Sequence, residues 1–128
     1  MERKLYSSGA KWESIAGYSR AIRIGNVIEV AGTVAVNELN EVVGRDDVYA
    51  QTTYILEKIR TVLQEAGADI KDVIRTRMFT TDISKFEDIS RAHGAMFKDI
   101  RPVCTLVEVS RLVQPDLLVE VEASAIVA

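Results

Sequence analysis

Val48, Thr52, Ile55, Leu56, Ile59 and Leu63 recur at helical spacing, and this stripe constrains the fold of the 128-residue chain more than any other feature. Side chains three and four residues apart share one face of a helix, so the segment from Asp46 to Ala66 must lay an apolar face against a partner surface. Asp46 and Asp47 stand where a helix N-terminus favours acidic groups, and Gly67 is a natural stop beyond the last turn. Strands are predicted on both sides. Ser19–Ile24 and Val27–Val36 are β-branched runs hinged by Gly25-Asn26, a two-residue hairpin signal. Ile74–Thr81 is a third such run.

A second helix is expected after Ser84, read as its cap, with Glu87 three residues later completing a capping box. Phe86, Ile89, His93, Met96 and Phe97 line its apolar side, and Pro102 follows its end. Val103–Leu112 and Leu117–Val127 close the chain as strands joined through Gln114-Pro115-Asp116. The order strand, strand, helix, strand, helix, strand, strand predicts an α+β fold, a single mixed β-sheet with two helices on one face. One domain over residues 1–128 is expected, with 1–14 as its polar N-terminal segment. In the last strand Val119, Val121, Ala123 and Ala125 point one way, and Glu120, Glu122 and Ser124 the other. Two helices cover only one face. Thr33, Met78 and Leu118 are assigned to the uncovered face, where subunits are expected to pack as a homo-oligomer.

Composition removes several functions. Lys and Arg number 16 against 19 Asp and Glu, a net charge of −3 that lacks the basic footprint of a nucleic-acid binder. One Cys excludes an internal disulfide, and one Cys with one His cannot build a Cys/His zinc site, so neither metal nor cofactor is expected. No phosphate-cradling Gly-rich loop and no Gly-x-Ser-x-Gly elbow occurs. Met1-Glu2-Arg3-Lys4 is not followed by an apolar targeting segment, and the longest apolar runs are about four residues against the ~20 that span a bilayer. A cytoplasmic protein without a membrane partner is expected.

The segment Arg101-Pro102-Val103-Cys104-Thr105-Leu106-Val107-Glu108-Val109-Ser110-Arg111-Leu112, with Leu118-Val119-Glu120-Val121-Glu122-Ala123, resembles the C-terminal signature of the RidA family, also called YjgF-like. Gly17-Tyr18-Ser19-Arg20-Ala21 is similar to that family's Gly-Pro-Tyr-Ser-Gln-Ala start, and Val30-Ala31-Gly32-Thr33 to its Val-Ser-Gly-Gln strand. Ala50-Gln51-Thr52 through Ala66-Gly67, then Asp72-Val73, resembles its first helix and following turn. The likeness spans residues 15–127. It implies a chorismate-mutase-like fold and a homotrimer with ligand sites in the clefts between subunits. For the best-known members it implies hydrolysis of enamine and imine intermediates to a 2-keto acid and ammonia. The expected partners are the chain itself and a small carboxylate or carbonyl metabolite.

One departure bears on the chemistry. Family deaminases carry Pro-Ala-Arg-Ser in the signature, and that arginine binds the substrate carboxylate. Here the stretch reads Pro102-Val103-Cys104-Thr105, so Cys104 fills the arginine slot. A guanidinium grips a carboxylate through two parallel charge-assisted hydrogen bonds, whereas a neutral thiol is a weak donor without charge. Ser90 and His93 stand where the second helix of the family has Asn and Tyr, and Leu106 where it often has Cys. Glu120 matches the glutamate that positions water near the substrate nitrogen, and Tyr18 the tyrosine at the cleft mouth. The resemblance therefore implies Glu120 as the catalytic group and Tyr18, Gly32, Thr33, Ser90 and Cys104 as ligand-binding positions. Arg75, Arg77 and Arg101 are the candidates for a substitute cation. Two other readings stand beside the deaminase: a non-catalytic ligand-binding or sensing trimer and, ranked last, an endoribonuclease.

Plainer roles are weighed against these. Cys104 reads more simply as a small buried hydrophobe, and His93 as a packed, hydrogen-bonded histidine. Glu122 reads as structural, with Arg111 of the neighbouring strand as an ion-pair partner for the carboxylates. Lys85, Glu87, Asp88, Arg91, Lys98 and Asp99 balance one another as a solvated helix face.

Overall fold

The computed structural model describes residues 1–128. Its elements in chain order are β1 (Arg3–Tyr6), α1 (Lys11–Ala16), β2 (Ala21–Ile24), β3 (Val27–Val34), α2 (Val48–Glu65), β4 (Val73–Thr80), α3 (Phe86–Phe97), β5 (Val103–Glu108) and β6 (Val119–Ile126). The six strands form one sheet in the order β1-β2-β3-β6-β4-β5. Its strand pairs are antiparallel except β4–β5, which the crossover through α3 makes parallel. The sheet is therefore mixed, as expected. No helix is long and apolar enough to cross a membrane.

The stripe of α2 does what its spacing requires. Ile55, Leu56, Ile59 and Leu63 are buried against Ile28 and Val30 of β3 and Val119, Val121, Ala123 and Ala125 of β6 in one core cluster. Ile89 and Phe97 of α3 join it. The Asp47 side chain accepts from the Ala50 N–H at 3.0 Å, satisfying one of the orphan donors at the start of α2.

Four expectations are corrected. The polar N-terminal segment, to which the sequence assigned no element, carries two: β1 pairs with β2, and α1 follows and stops at Gly17, whose φ of 77° suits glycine. Ser84 does not cap α3. Asp82 is the cap, of a single 3-10 turn at Ile83–Lys85, and its carboxylate takes both the Ser84 N–H at 3.0 Å and the Ser84 hydroxyl at 2.6 Å. The last two strands are shorter than their apolar runs, because 109–118 leaves the sheet as a connection.

The fourth correction concerns which residues face the helices. Val30 pairs with Ala123 but Thr33 pairs with Val121, so β3 carries one extra residue between them, a β-bulge. The bulge turns Thr33 back onto the helix-covered side, where it is 1% exposed. Met78 pairs with Val121 on the same side and is likewise buried, and Leu118 precedes β6, half-buried. The uncovered face instead presents Arg75, Arg77 and Phe79 of β4, Glu120, Glu122 and Ser124 of β6, and Val103, Thr105 and Val107 of β5.

Candidate active site

The bulge in β3 organises the site. Gly32 lies within it, and Glu120, in register with Val34 and Phe79, rests its carboxyl group over the Gly32 Cα. A Cβ at position 32 would collide with Glu120 Oε2 and stand 3.1 Å from its Cδ, so the approach depends on glycine. Glu120 is half-buried and forms no ion pair within the chain. Burial pushes its pKa above the ordinary carboxylate value, the Arg20 charge pulls it down and Glu122 adds to the rise. A carboxyl group that holds its proton unusually tightly beside bare backbone is suited to moving a proton to and from a small ligand.

Arg20 stands on the other side of the bulge. Its Nη1 donates to the Gly32 carbonyl at 2.7 Å and to Thr33 Oγ1 at 3.2 Å. Thr33 Oγ1 in turn donates to the Ala31 carbonyl at 2.8 Å. The guanidinium carbon lies 5.7 Å from the centre of the Tyr18 ring, within cation–π range. Arg20 is not among the site residues expected from the sequence. The available signal was its place in Gly17-Tyr18-Ser19-Arg20-Ala21, where the family motif has Gln.

Of the expected site residues, Tyr18, Gly32, Thr33 and Glu120 thus gather at the bulge, Tyr18 through Arg20. Thr33 takes part by holding Arg20, since its own side chain is in the core. Ser90 is exposed on α3 and joins none of these contacts. Cys104 lies elsewhere. It is in register with Thr76 across β4–β5, on the helix side of the sheet, three positions along and two strands across from Glu120. Strand spacings put the two roughly 14 Å apart and on opposite faces. Nor is Cys104 a buried hydrophobe; β5 has no outer neighbour in the sheet, and the thiol is exposed.

His93 is the packed histidine of the plainer reading. Its Nε2 lies 2.8 Å from Thr76 Oγ1 and its ring 4.7 Å from that of Phe97, and burial holds its pKa below the usual range. Glu122 pairs with Arg77 at 3.2 Å, not with Arg111, because β4 and not the 109–118 connection lies beside β6. That pair occupies Arg77. Arg75 lines a hollow of about 630 Å³ on the uncovered face, together with Tyr18, Glu29, Ala31, Arg77 and Glu122. Arg101 is exposed just beyond α3.

The sequence profile of the family described as Endoribonuclease L-PSP matches residues 8–127. A RutC family protein of Pyrococcus abyssi is 38% identical over 112 residues, 87% of each chain. A 3-aminoacrylate deaminase, RutC, of Acinetobacter baylyi is 34% identical over 111 residues, also 87% of each. The crystal structure of a YjgF-family protein from Mycobacterium tuberculosis superposes with a TM-score of 0.89 at 45% identity, covering 98% of this chain and 100% of that one. With its sheet order, its helices and nearly its whole length accounted for in this way, the chain belongs to the RidA family, the YjgF-like proteins also described as Endoribonuclease L-PSP.

Proposed function

We propose that the protein hydrolyses small enamine or imine carboxylates to a keto acid and ammonia, acting in the cytoplasm as a homotrimer with its ligand between subunits. The observation that carries this reading is the half-buried Glu120 carboxyl laid over Gly32. In an imine hydrolysis the water oxygen bonds to the imine carbon while Glu120, ionised, takes a water proton and passes it to the nitrogen. The resulting carbinolamine gives its hydroxyl proton to the nitrogen as the C–N bond breaks, so ammonia leaves and the oxygen becomes the keto group. An enamine enters the same route after protonation at carbon, with Glu120 as the group placed to carry that proton. The similarity to the Acinetobacter baylyi 3-aminoacrylate deaminase supports the reaction class.

The intersubunit cleft rests on geometry. The Glu120 and Cys104 positions face opposite sides of one chain, so a ligand bounded by both needs a second copy. Cys104 in the arginine slot favours a second reading, a trimer that binds a small metabolite without turning it over. An RNA substrate finds no support in the net charge of −3.

Release of ammonia, with the keto acid from 2-iminobutanoate and with the aldehyde acid 3-oxopropanoate from 3-aminoacrylate, each substrate generated in situ, tests the proposal. Turnover by the wild type that Glu120→Gln abolishes is the expected result. No turnover by the wild type, together with a rise in melting temperature on adding 2-oxobutanoate, would overturn it in favour of the binding protein.

A further inference from the structure

We infer that Arg20 is the carboxylate anchor of the Glu120 site, a cation supplied from the start of β2 in place of the one that Cys104 does not provide. The inference rests on reading Glu120 as the reacting group, and names the ligand class as small carboxylates.

The guanidinium is held in place and only partly used. Nη1 directs its two N–H groups at the Gly32 carbonyl and Thr33 Oγ1, leaving Nε–H and the Nη2 pair without a partner in the chain. Those remaining donors form the fork that matches a carboxylate edge. Thr33 commits its own proton to the Ala31 carbonyl and so presents a lone pair to Arg20, while Tyr18 stacks a ring face against the cation. All of these contacts fall at the bulge, and they fix the cation through the same Gly32 on which Glu120 rests. Arg20 and Glu120 influence each other's charge without closing an ion pair. A ligand bound between these two opposite charges would meet Arg20 with its carboxylate and Glu120 with its reacting carbon.

Lys58 reaches over from α2, its Nζ donating to the Val34 carbonyl at 3.0 Å and to the Val36 carbonyl at 2.9 Å. The Arg20 charge is felt by this ammonium and by two carboxylates, Glu13 and Glu120. Of the three candidates named from the sequence, Arg77 is already matched to Glu122, Arg101 is exposed beyond α3, and Arg75 lines the hollow on the uncovered face without a hydrogen bond to the bulge.

The test is calorimetric binding of 2-oxobutanoate and of its methyl ester to the full-length protein. The wild type is expected to bind the acid and not the ester. Arg20→Gln, which restores the residue of the family motif, should fold and weaken acid binding roughly 10- to 100-fold. Arg20→Lys, which keeps the charge and loses the fork, should fall between. Glu120→Gln should keep acid binding while ending turnover. Unchanged acid binding in Arg20→Gln, or equal binding of acid and ester by the wild type, overturns the inference. The two readings fail separately: turnover with an unchanged KM in Arg20→Gln removes the anchor and leaves the deaminase, whereas Arg20-dependent acid binding without turnover does the reverse.

Discussion

Glu120 rests its carboxyl group on the Cα of Gly32, so closely that any side chain at position 32 would collide with it. Gly32 does not have the positive φ that would exclude alanine on backbone grounds. The atom in the way is the far end of a flexible side chain, so the collision is relieved by moving Glu120 rather than the fold. Gly32→Ala should therefore fold, lose about 1 kcal/mol or less, and lose most of its turnover of 2-iminobutanoate. Melting curves beside initial rates check this. Full activity in Gly32→Ala would mean that the carboxyl position is irrelevant to the reaction.

Glu120 also predicts a pH dependence of stability. Burial lifts its pKa above the ordinary 4.5, so the folded chain holds this proton more tightly than the unfolded chain does. Its contribution to stability is complete below about 4.5 and is lost as pH rises through the folded value. At neutral pH the wild type therefore carries the cost of an ionised, half-buried carboxylate that Glu120→Gln removes. The melting temperature of Glu120→Gln should exceed that of the wild type at pH 7, and the gap should close as pH falls toward 4. A constant gap would mean that burial does not govern this carboxyl group.

His93 has the opposite sign. Burial lowers its pKa below 6.5, so the folded chain binds this proton more weakly than the unfolded chain. The associated stability is complete above about 6.5 and is lost as pH falls through the folded value. A ring titration followed by nuclear magnetic resonance should show a midpoint below 6.5. Thr76 is fully buried, and Thr76→Val strips His93 Nε2 of its partner at 2.8 Å, which should cost about 1–2 kcal/mol. A Thr76→Val protein as stable as the wild type would show that the bond contributes nothing.

Much of this molecule was legible before its structure. The stripe from Val48 to Leu63, the Gly25-Asn26 hinge and the alternation from Val119 to Ala125 are periodic signals with one reading each, and each formed the expected element. The bulge was not legible. Nothing in Val30-Ala31-Gly32-Thr33 announces an extra residue, yet it turns Thr33 inward and sets Glu120 over Gly32. The role of Arg20 followed from the same bulge. Its anchor points, the Gly32 carbonyl and Thr33 Oγ1, converge only after β2 and β3 have paired. Strand ends were missed at 109–118 because apolar residues such as Val109 and Leu112 continue the pattern after the pairing has stopped.

The uncovered sheet face predicts assembly. Val103 is 56% and Val107 42% exposed there, beside Phe79 and the Arg77–Glu122 pair, on a face that no helix shields. Light scattering at micromolar concentration should report three chains of 14.2 kDa. Val107→Asp, which sets a charge on that face, should shift the particle toward single chains. A wild-type monomer would remove the cleft and with it any role for Cys104 near Glu120.

If the cleft forms, the anchoring charge should be movable. Within one chain position 104 lies roughly 14 Å from Glu120 by strand spacing and faces the other way, so it reaches a Glu120 only on a neighbouring copy. Arg20→Gln alone should weaken 2-oxobutanoate binding. Adding Cys104→Arg should restore most of the loss, because a guanidinium in the family's own slot then meets the carboxylate from across the interface. Position 104 is exposed on an edge strand, so the second substitution should change stability little, within about 0.5 kcal/mol. The measurement is a double-mutant cycle on binding, in which rescue appears as a coupling energy between two sites that do not touch within one chain. A double variant that stays trimeric and binds no better than Arg20→Gln would show that the two positions serve different ligands, and that the Cys104 side of the cleft faces no carboxylate at all.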